Sequence, residues 1–162
     1  MTSEPSWTHL DAENNPAMVD ISAKPVTVRT AVACAEVHLP AEVLAQLHDG
    51  DIRSPKGPVF QTAIIAGTMA AKQTSALIPF CHPLPLDAVR ITVAPPEHGI
   101  LRIEAAVKTS HKTGVEMEAL TAASAAALTV YDMCKAFSPA MEIRRVRLLG
   151  KRGGKKDYTA VE

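Results

Sequence analysis

The sequence carries no net charge: 17 Lys+Arg stand against 17 Asp+Glu in 162 residues. A general nucleic-acid binder needs a broad cationic surface, so the balance excludes that class. It also leaves little charge to hold copies apart, which favours association. Cysteine is scarce. Cys34, Cys81 and Cys134 cannot all pair, and no CxxC or Cys/His zinc spacing occurs, so a reducing cytoplasm is expected and no metal or other cofactor. The N-terminus is acidic and polar where a signal peptide would be basic and then apolar. No apolar run approaches the ~20 residues of a membrane span. Internal repeats and low-complexity tracts are absent too. The length fits one domain, whose folding buries about two-thirds of the extended chain's surface.

What is present divides into an arm and a patterned body. Residues 1–17 are polar and aperiodic, and are expected to form a flexible arm with Trp7 as an anchor; residues 18–162 form the single domain. Val26, Val28, Thr30, Val32 and Cys34 alternate as one face of a strand running to Val37. Pro40 opens a short helix stopped by Gly50, and a loop, DIRSPKGP, follows. An Ala-rich helix is expected from Val59 to about Leu77. Three prolines then keep residues 78–85 out of regular helix. Period-2 runs at 89–93 and 101–107, joined by Pro95-Pro96-Glu97-His98-Gly99, predict a hairpin. Thr113-Gly114-Val115-Glu116 has capping-box spacing and starts the longest helix, which reaches about Ala136. Its expected apolar stripe is Met117, Leu120, Ser124, Ala127, Tyr131 and Cys134. Residues 142–149 read as the last strand, and a basic tail follows. Without the short helix, the order is βαββαβ: an α+β, ferredoxin-like pattern with helices on one face of an antiparallel sheet.

The chemistry-bearing groups are spread along this pattern. Proline-locked Phe80-Cys81-His82-Pro83 would hold the His82 imidazole still, as a general acid/base or phosphate donor requires; an ordinary loop histidine is the alternative. Glu116 is accounted for by the capping box. Glu118 points elsewhere, and Asp132 lies on nearly the same helix face but ~21 Å further along. One reacting centre cannot touch both from one helix, so either the substrate is long or another subunit completes each site. Asp132 and Lys135, at i,i+3, form either a surface ion pair or an acid/base couple. Arg144 to Lys156 contains seven Lys/Arg and no acid. Its Lys151-Arg152-Gly153-Gly154-Lys155-Lys156 run is a solvated tail or a polyphosphate wrap. Lys56, before a helix N-terminus, is well placed for an anion. These residues describe an oligomeric protein suited to an anionic, nucleotide-sized ligand, without fixing a reaction. A non-catalytic nucleotide-binding module would use the same loops.

Five blocks then resemble one family in order: Met18 to Lys24 (MVDISAK), Lys56-Gly57, Leu77 to Leu84 (LIPFCHPL), Lys112 to Thr121 (KTGVEMEALT) and Tyr131 to Ala136 (YDMCKA). The chain is similar over residues 7–160 to the molybdenum cofactor biosynthesis protein C family, the cyclic pyranopterin monophosphate synthases. The resemblance implies a lyase that converts 3′,8-cyclo-7,8-dihydro-GTP to cyclic pyranopterin monophosphate with release of diphosphate. It also implies a ferredoxin-like fold, a hexamer built from dimers, and pockets at subunit interfaces. Carried over by motif, Asp132 is the acid/base residue, Lys56 and Lys135 are the essential lysines, and Phe80, Cys81, His82, Met117 and Glu118 bind substrate. Lys24, Arg29, Glu116 and Lys151 fall among the pocket groups. Phe80 stands where Leu is usual, and Pro58 and Ala76 where Asp is usual. Both lost carboxylates bear on how Lys56 or its neighbouring loop is oriented.

Overall fold

Residues 13–161 are described in the computed structural model. Most of the expected arm, Trp7 included, therefore lies outside the described residues. In chain order the elements are β1 (Thr27–His38), α1 (Ala41–Leu44), β2 (Leu47–His48), β3 (Asp51–Ser54), β4 (Gly57–Pro58), α2 (Val59–Lys72), α3 (Thr74–Leu77), β5 (Ala88–Val93), β6 (Ile100–His111), α4 (Glu116–Cys134), β7 (Glu142–Arg152) and β8 (Tyr158–Thr159).

The main sheet is antiparallel, in the order β5-β6-β1-β7-β8. β1 lies at its centre, paired with β6 from Thr27↔His111 to His38↔Ile100. Its other edge meets β7 from Thr30↔Arg152 to His38↔Glu142, with two bulges. α4 packs on β1, β6 and β7, while α2 packs on α4 and β5. The long strands and helices thus form the ferredoxin-like arrangement that the βαββαβ order predicts.

Alternation puts Ala31, Ala33, Ala35 and Val37 of β1 into the core with Leu101, Ile103, Ala105 and Val107 of β6. α4 buries Ala119, Ala122, Ala123, Ala126 and Ala127. These small side chains let α2 approach very closely at Gly67. A Cβ there would stand 2.5 Å from Ile91 Cδ1 and 2.7 Å from the Ala122 carbonyl oxygen.

Several local expectations are corrected. The helix opened by Pro40 ends at Leu44 rather than near Gly50. Asp49 (φ 52°) and Gly50 (φ 81°) are both left-handed, the geometry of a two-residue hairpin, and they join β2 to β3. The expected DIRSPKGP loop is therefore mostly strand: β3 pairs with β4, and the three short strands make a second small sheet. α2 stops at Lys72, where the buried Thr74 hydroxyl donates to the Ala70 and Ala71 carbonyls (3.3 and 3.0 Å) before α3 restarts the helix. No capping box forms: α4 has Val115 at its N-cap and no side-chain cap bond. The stripe of α4 is also displaced. Ala127 and Cys134 are buried, but Met117, Leu120, Ser124 and Tyr131 are only half-buried, because the helix is enclosed by the sheet on one side and α2 on another. Finally, β7 continues to Arg152, and the basic tail turns back as β8.

Candidate active site

The first group of functional side chains forms where the small sheet meets the end of α4. In the turn between β3 and β4, Ser54 Oγ accepts the Lys56 amide hydrogen (3.1 Å) and donates to the Gly57 carbonyl (3.1 Å). The turn projects Lys56 Nζ to 2.6 Å from Asp132 Oδ2, while Lys135 Nζ lies 2.7 Å from Asp132 Oδ1. All three side chains are more than half exposed, so these pairs contribute little to stability. Asp132 is also at the helix end that disfavours a carboxylate. The two ammonium groups overcome that effect: hydrogen bonding first from Lys135 and then from Lys56 lowers its pKa to about 2. Asp132 in turn raises the pKa of Lys135. The cluster is thus an ionised carboxylate with a surplus cation, open to solvent.

The second group lies at the other end of α4, around a cleft of about 630 Å³. Val19, Ile21, Phe80, Leu84 and Met117 form its apolar wall, and Cys81, His82 and Glu118 bring titratable groups to it. The proline-rich segment carrying His82 is pinned beyond Pro85 by the buried Thr109 hydroxyl, which donates to the Pro85 carbonyl (2.6 Å). His82 Nε2 is 2.9 Å from the Val19 carbonyl oxygen. In the neutral ring that contact places the hydrogen on Nε2 and leaves Nδ1 as acceptor. Glu118 is 4% exposed. Burial raises its pKa, and the nearby Glu116 charge adds to the effect. Burial, and then the Glu118 charge, raises that of the Cys81 thiol.

This cleft runs into a basin of about 420 Å³ lined by Lys24, Arg29, Lys151, Arg152, Lys155 and Lys156, with Lys24, Thr113, Gly114, Glu116 and Lys155 common to both. The Glu116 carboxylate does not reach back to cap its helix. Its Oε1 accepts from Lys151 Nζ at 2.7 Å. A Cβ at Gly114 would stand 1.9 Å from Glu116 Oε2, so a side chain there would displace this carboxylate. Arg29 Nε donates to Thr27 Oγ1 (3.0 Å) and the His111 carbonyl (3.1 Å). At the rim, Gly153 (φ +86°) crosses β1 so closely that a Cβ would lie 1.9 Å from the Val28 carbonyl oxygen.

The predicted residues are therefore gathered into two sets. Lys56, Asp132 and Lys135 meet in one. Phe80, Cys81, His82, Met117, Glu118, Lys24, Arg29, Glu116 and Lys151 surround the other. Fourteen residues of helix, ~21 Å, separate Glu118 from Asp132. Lys56 and Asp132 come together within a single chain, so any division between subunits falls between the two ends of α4 rather than between these two residues. Of the altered positions, Pro58 ends β4 and Ala76 is exposed in α3. Lys56 is nevertheless held on Asp132. Thr113 and Gly114 also line the site and were not among the expected residues, although their place three and two residues before Glu116 is a usable signal. Among the described residues, no three His, Cys, Asp or Glu side chains converge as a metal site. No helix there is long and apolar enough to cross a membrane.

The model of the MoaC family matches residues 18–154. A cyclic pyranopterin monophosphate synthase of Xanthomonas campestris pv. campestris (strain B100) is 55% identical over 159 residues, covering 98% of this chain and 96% of its own length. The protein of that name in Xanthomonas oryzae pv. oryzae (strain MAFF 311018) is 55% identical over 155 residues, 96% of this chain and 94% of its own. The one in Nostoc sp. (strain PCC 7120 / SAG 25.82 / UTEX 2576) is 52% identical over 153 residues, with coverages of 93% and 90%.

Proposed function

The chain belongs to the MoaC family, and from that premise we propose how its residues divide the work of a cyclic pyranopterin monophosphate synthase. The enzyme is a lyase of molybdenum cofactor biosynthesis that converts 3′,8-cyclo-7,8-dihydro-GTP to cyclic pyranopterin monophosphate and diphosphate. The observation that carries the division of labour is the opposite setting of two carboxylates, Asp132 held ionised between two ammonium groups and Glu118 buried with its pKa raised.

The reaction opens the purine ring, closes the pyranopterin and lets a ribose hydroxyl displace diphosphate from the α-phosphate. The six cations of the basin supply the clamp on the triphosphate, and they stabilise the negative charge that builds up on the departing diphosphate. Phe80 and Met117 give the ring system an apolar wall. Glu118 acts as a proton donor to it, and His82 Nδ1 as an acceptor. Asp132 is the general base, with Lys56 and Lys135 keeping it charged and stabilising oxyanions beside it. Because ~21 Å of helix parts the two ends, each complete site takes Lys56, Asp132 and Lys135 from one subunit and the cleft from another. A hexamer built from dimers supplies that pairing. The single domain covers residues 18–162, and the enzyme works in the cytoplasm.

Purified protein given the cyclised nucleotide should release diphosphate and form the cyclic phosphate, read by mass spectrometry. Activity surviving Asp132→Asn together with Lys135→Ala overturns the assigned roles. Sedimentation should give a particle of about six 17.2 kDa chains.

A further inference from the structure

Asp51 belongs to none of the groups above, yet its carboxylate is among the most heavily engaged in the chain. Its Oδ1 accepts amide hydrogens from Ile52 (2.6 Å) and Phe60 (2.7 Å), and its Oδ2 accepts from Gln61 (3.3 Å). The last two amides belong to the first turn of α2, where backbone N–H groups have no partner within the helix. The residue at the N-cap of α2 is Pro58, which offers no side-chain oxygen, and no side-chain cap bond forms there. Asp51 therefore caps α2 from outside it, across the hairpin that carries Lys56.

The loop so closed is short. It leaves β3, passes through the Lys56 turn, returns as β4 and enters α2. Ser54 sets the turn from within, and Asp51 ties its two ends together. The same carboxylate adds to the burial that raises the pKa of Cys134 to about 11. Asp51 thus also stands close to the last turn of α4, which bears Asp132. A charge-assisted hydrogen bond to a helix N-terminus is strong and directional for a single side chain.

We infer that Asp51 is a positioning residue for Lys56: by capping α2 from β3 it fixes the hairpin so that the lysine ammonium rests on Asp132. The inference builds on the catalytic role given to Lys56 above, but the position of Lys56 can be read without any turnover. Brief acetylation of the intact oligomer at neutral pH, quantified by peptide mass spectrometry with Lys72 as reference, reports how firmly each ammonium is held. Asp51→Ala should raise the labelling rate of Lys56 about tenfold and leave that of Lys135 unchanged. Adding Pro58→Asp supplies a local N-cap and should return Lys56 to near its original rate. In the synthase assay the same pair should lower and then restore kcat with little change in KM. Should Asp51→Ala fail to fold, Asp51→Asn keeps the oxygen facing Ile52 and Phe60 and should give a smaller rise. Unchanged Lys56 labelling in folded protein, or a rise that Pro58→Asp does not reverse, overturns the inference. Absence of turnover in the unsubstituted protein overturns the proposed function instead and leaves the labelling result standing.

Discussion

At the C-terminal end of α4, Asp132 stands in solvent between two ammonium groups and keeps its charge down to a pH of about 2. At the N-terminal end, Glu118 is enclosed beside apolar side chains and binds its proton more tightly than a free glutamate. The helix dipole opposes both outcomes, since it favours a carboxylate at the N-terminal end and disfavours one at the C-terminal end. A dipole contribution of about 0.3–1 kcal/mol loses to desolvation at Glu118 and to paired cations at Asp132. One helix thereby carries a carboxylate with a lowered pKa at one end and a carboxylate with a raised pKa at the other. In the proposed reaction they share a site through two chains that present opposite ends to each other.

The largest break in this comparison is to remove the exposed end. Asp132→Asn or Lys56→Ala should lower kcat about a thousandfold, with the fold unchanged by circular dichroism. Next comes the test of the division between chains. Inactive Asp132→Asn and Glu118→Gln proteins, denatured together and refolded, should recover about a quarter of the original activity by random pairing of intact ends. Asp132→Asn mixed with Lys56→Ala should recover none, because both changes disable the same end. Recovery in the second mixture and not the first would place the boundary elsewhere. Lys151→Ala, which frees Glu116 and thins the clamp, should raise KM about tenfold and lower kcat by a smaller factor, with a weaker dependence of KM on salt.

The smallest effects are on stability, and they have opposite signs. Glu118 has a raised folded pKa, so its favourable contribution is complete below the ordinary glutamate value and is lost as pH rises through the folded one. Glu118→Gln should therefore raise Tm at pH 7 and change it less at pH 4. Asp132 has a lowered folded pKa, so its contribution is present above the ordinary aspartate value and fades as pH falls toward about 2. Asp132→Asn should lower Tm slightly at neutral pH, with the difference closing in acid. Calorimetry across that range reads both.

The parts of the molecule legible in its sequence are those where one pattern dominates over many residues. β1 and the β5–β6 hairpin show period-2 alternation, and the KTGVEMEALT block marks the start of α4. The small sheet was hidden because β2 and β4 have two residues each, too few for a period; only Asp49-Gly50 announced a hairpin. Glu116 was misread because capping-box spacing is local, whereas its partner Lys151 lies 35 residues on. The capping role of Asp51 gave no signal at all, since the α2 amides it serves are on residues nine and ten positions later. The burial of Glu118 was obscured by the alanines around it. A helix made of small residues has no single apolar stripe from which to judge which side faces solvent.

That alanine-rich centre, held between the sheet and Gly67 of α2, has a consequence for how this chain can change length. One residue inserted into α4 would turn Asp132 by ~100° relative to Glu118 and advance it by ~1.5 Å, so both ends could not keep their neighbours. Removing seven residues would nearly restore the phase but shorten the span by ~10 Å. Insertions and deletions should therefore be tolerated in the 95–99 turn and excluded from 116–134, where the helix acts as a gauge of fixed length and fixed phase.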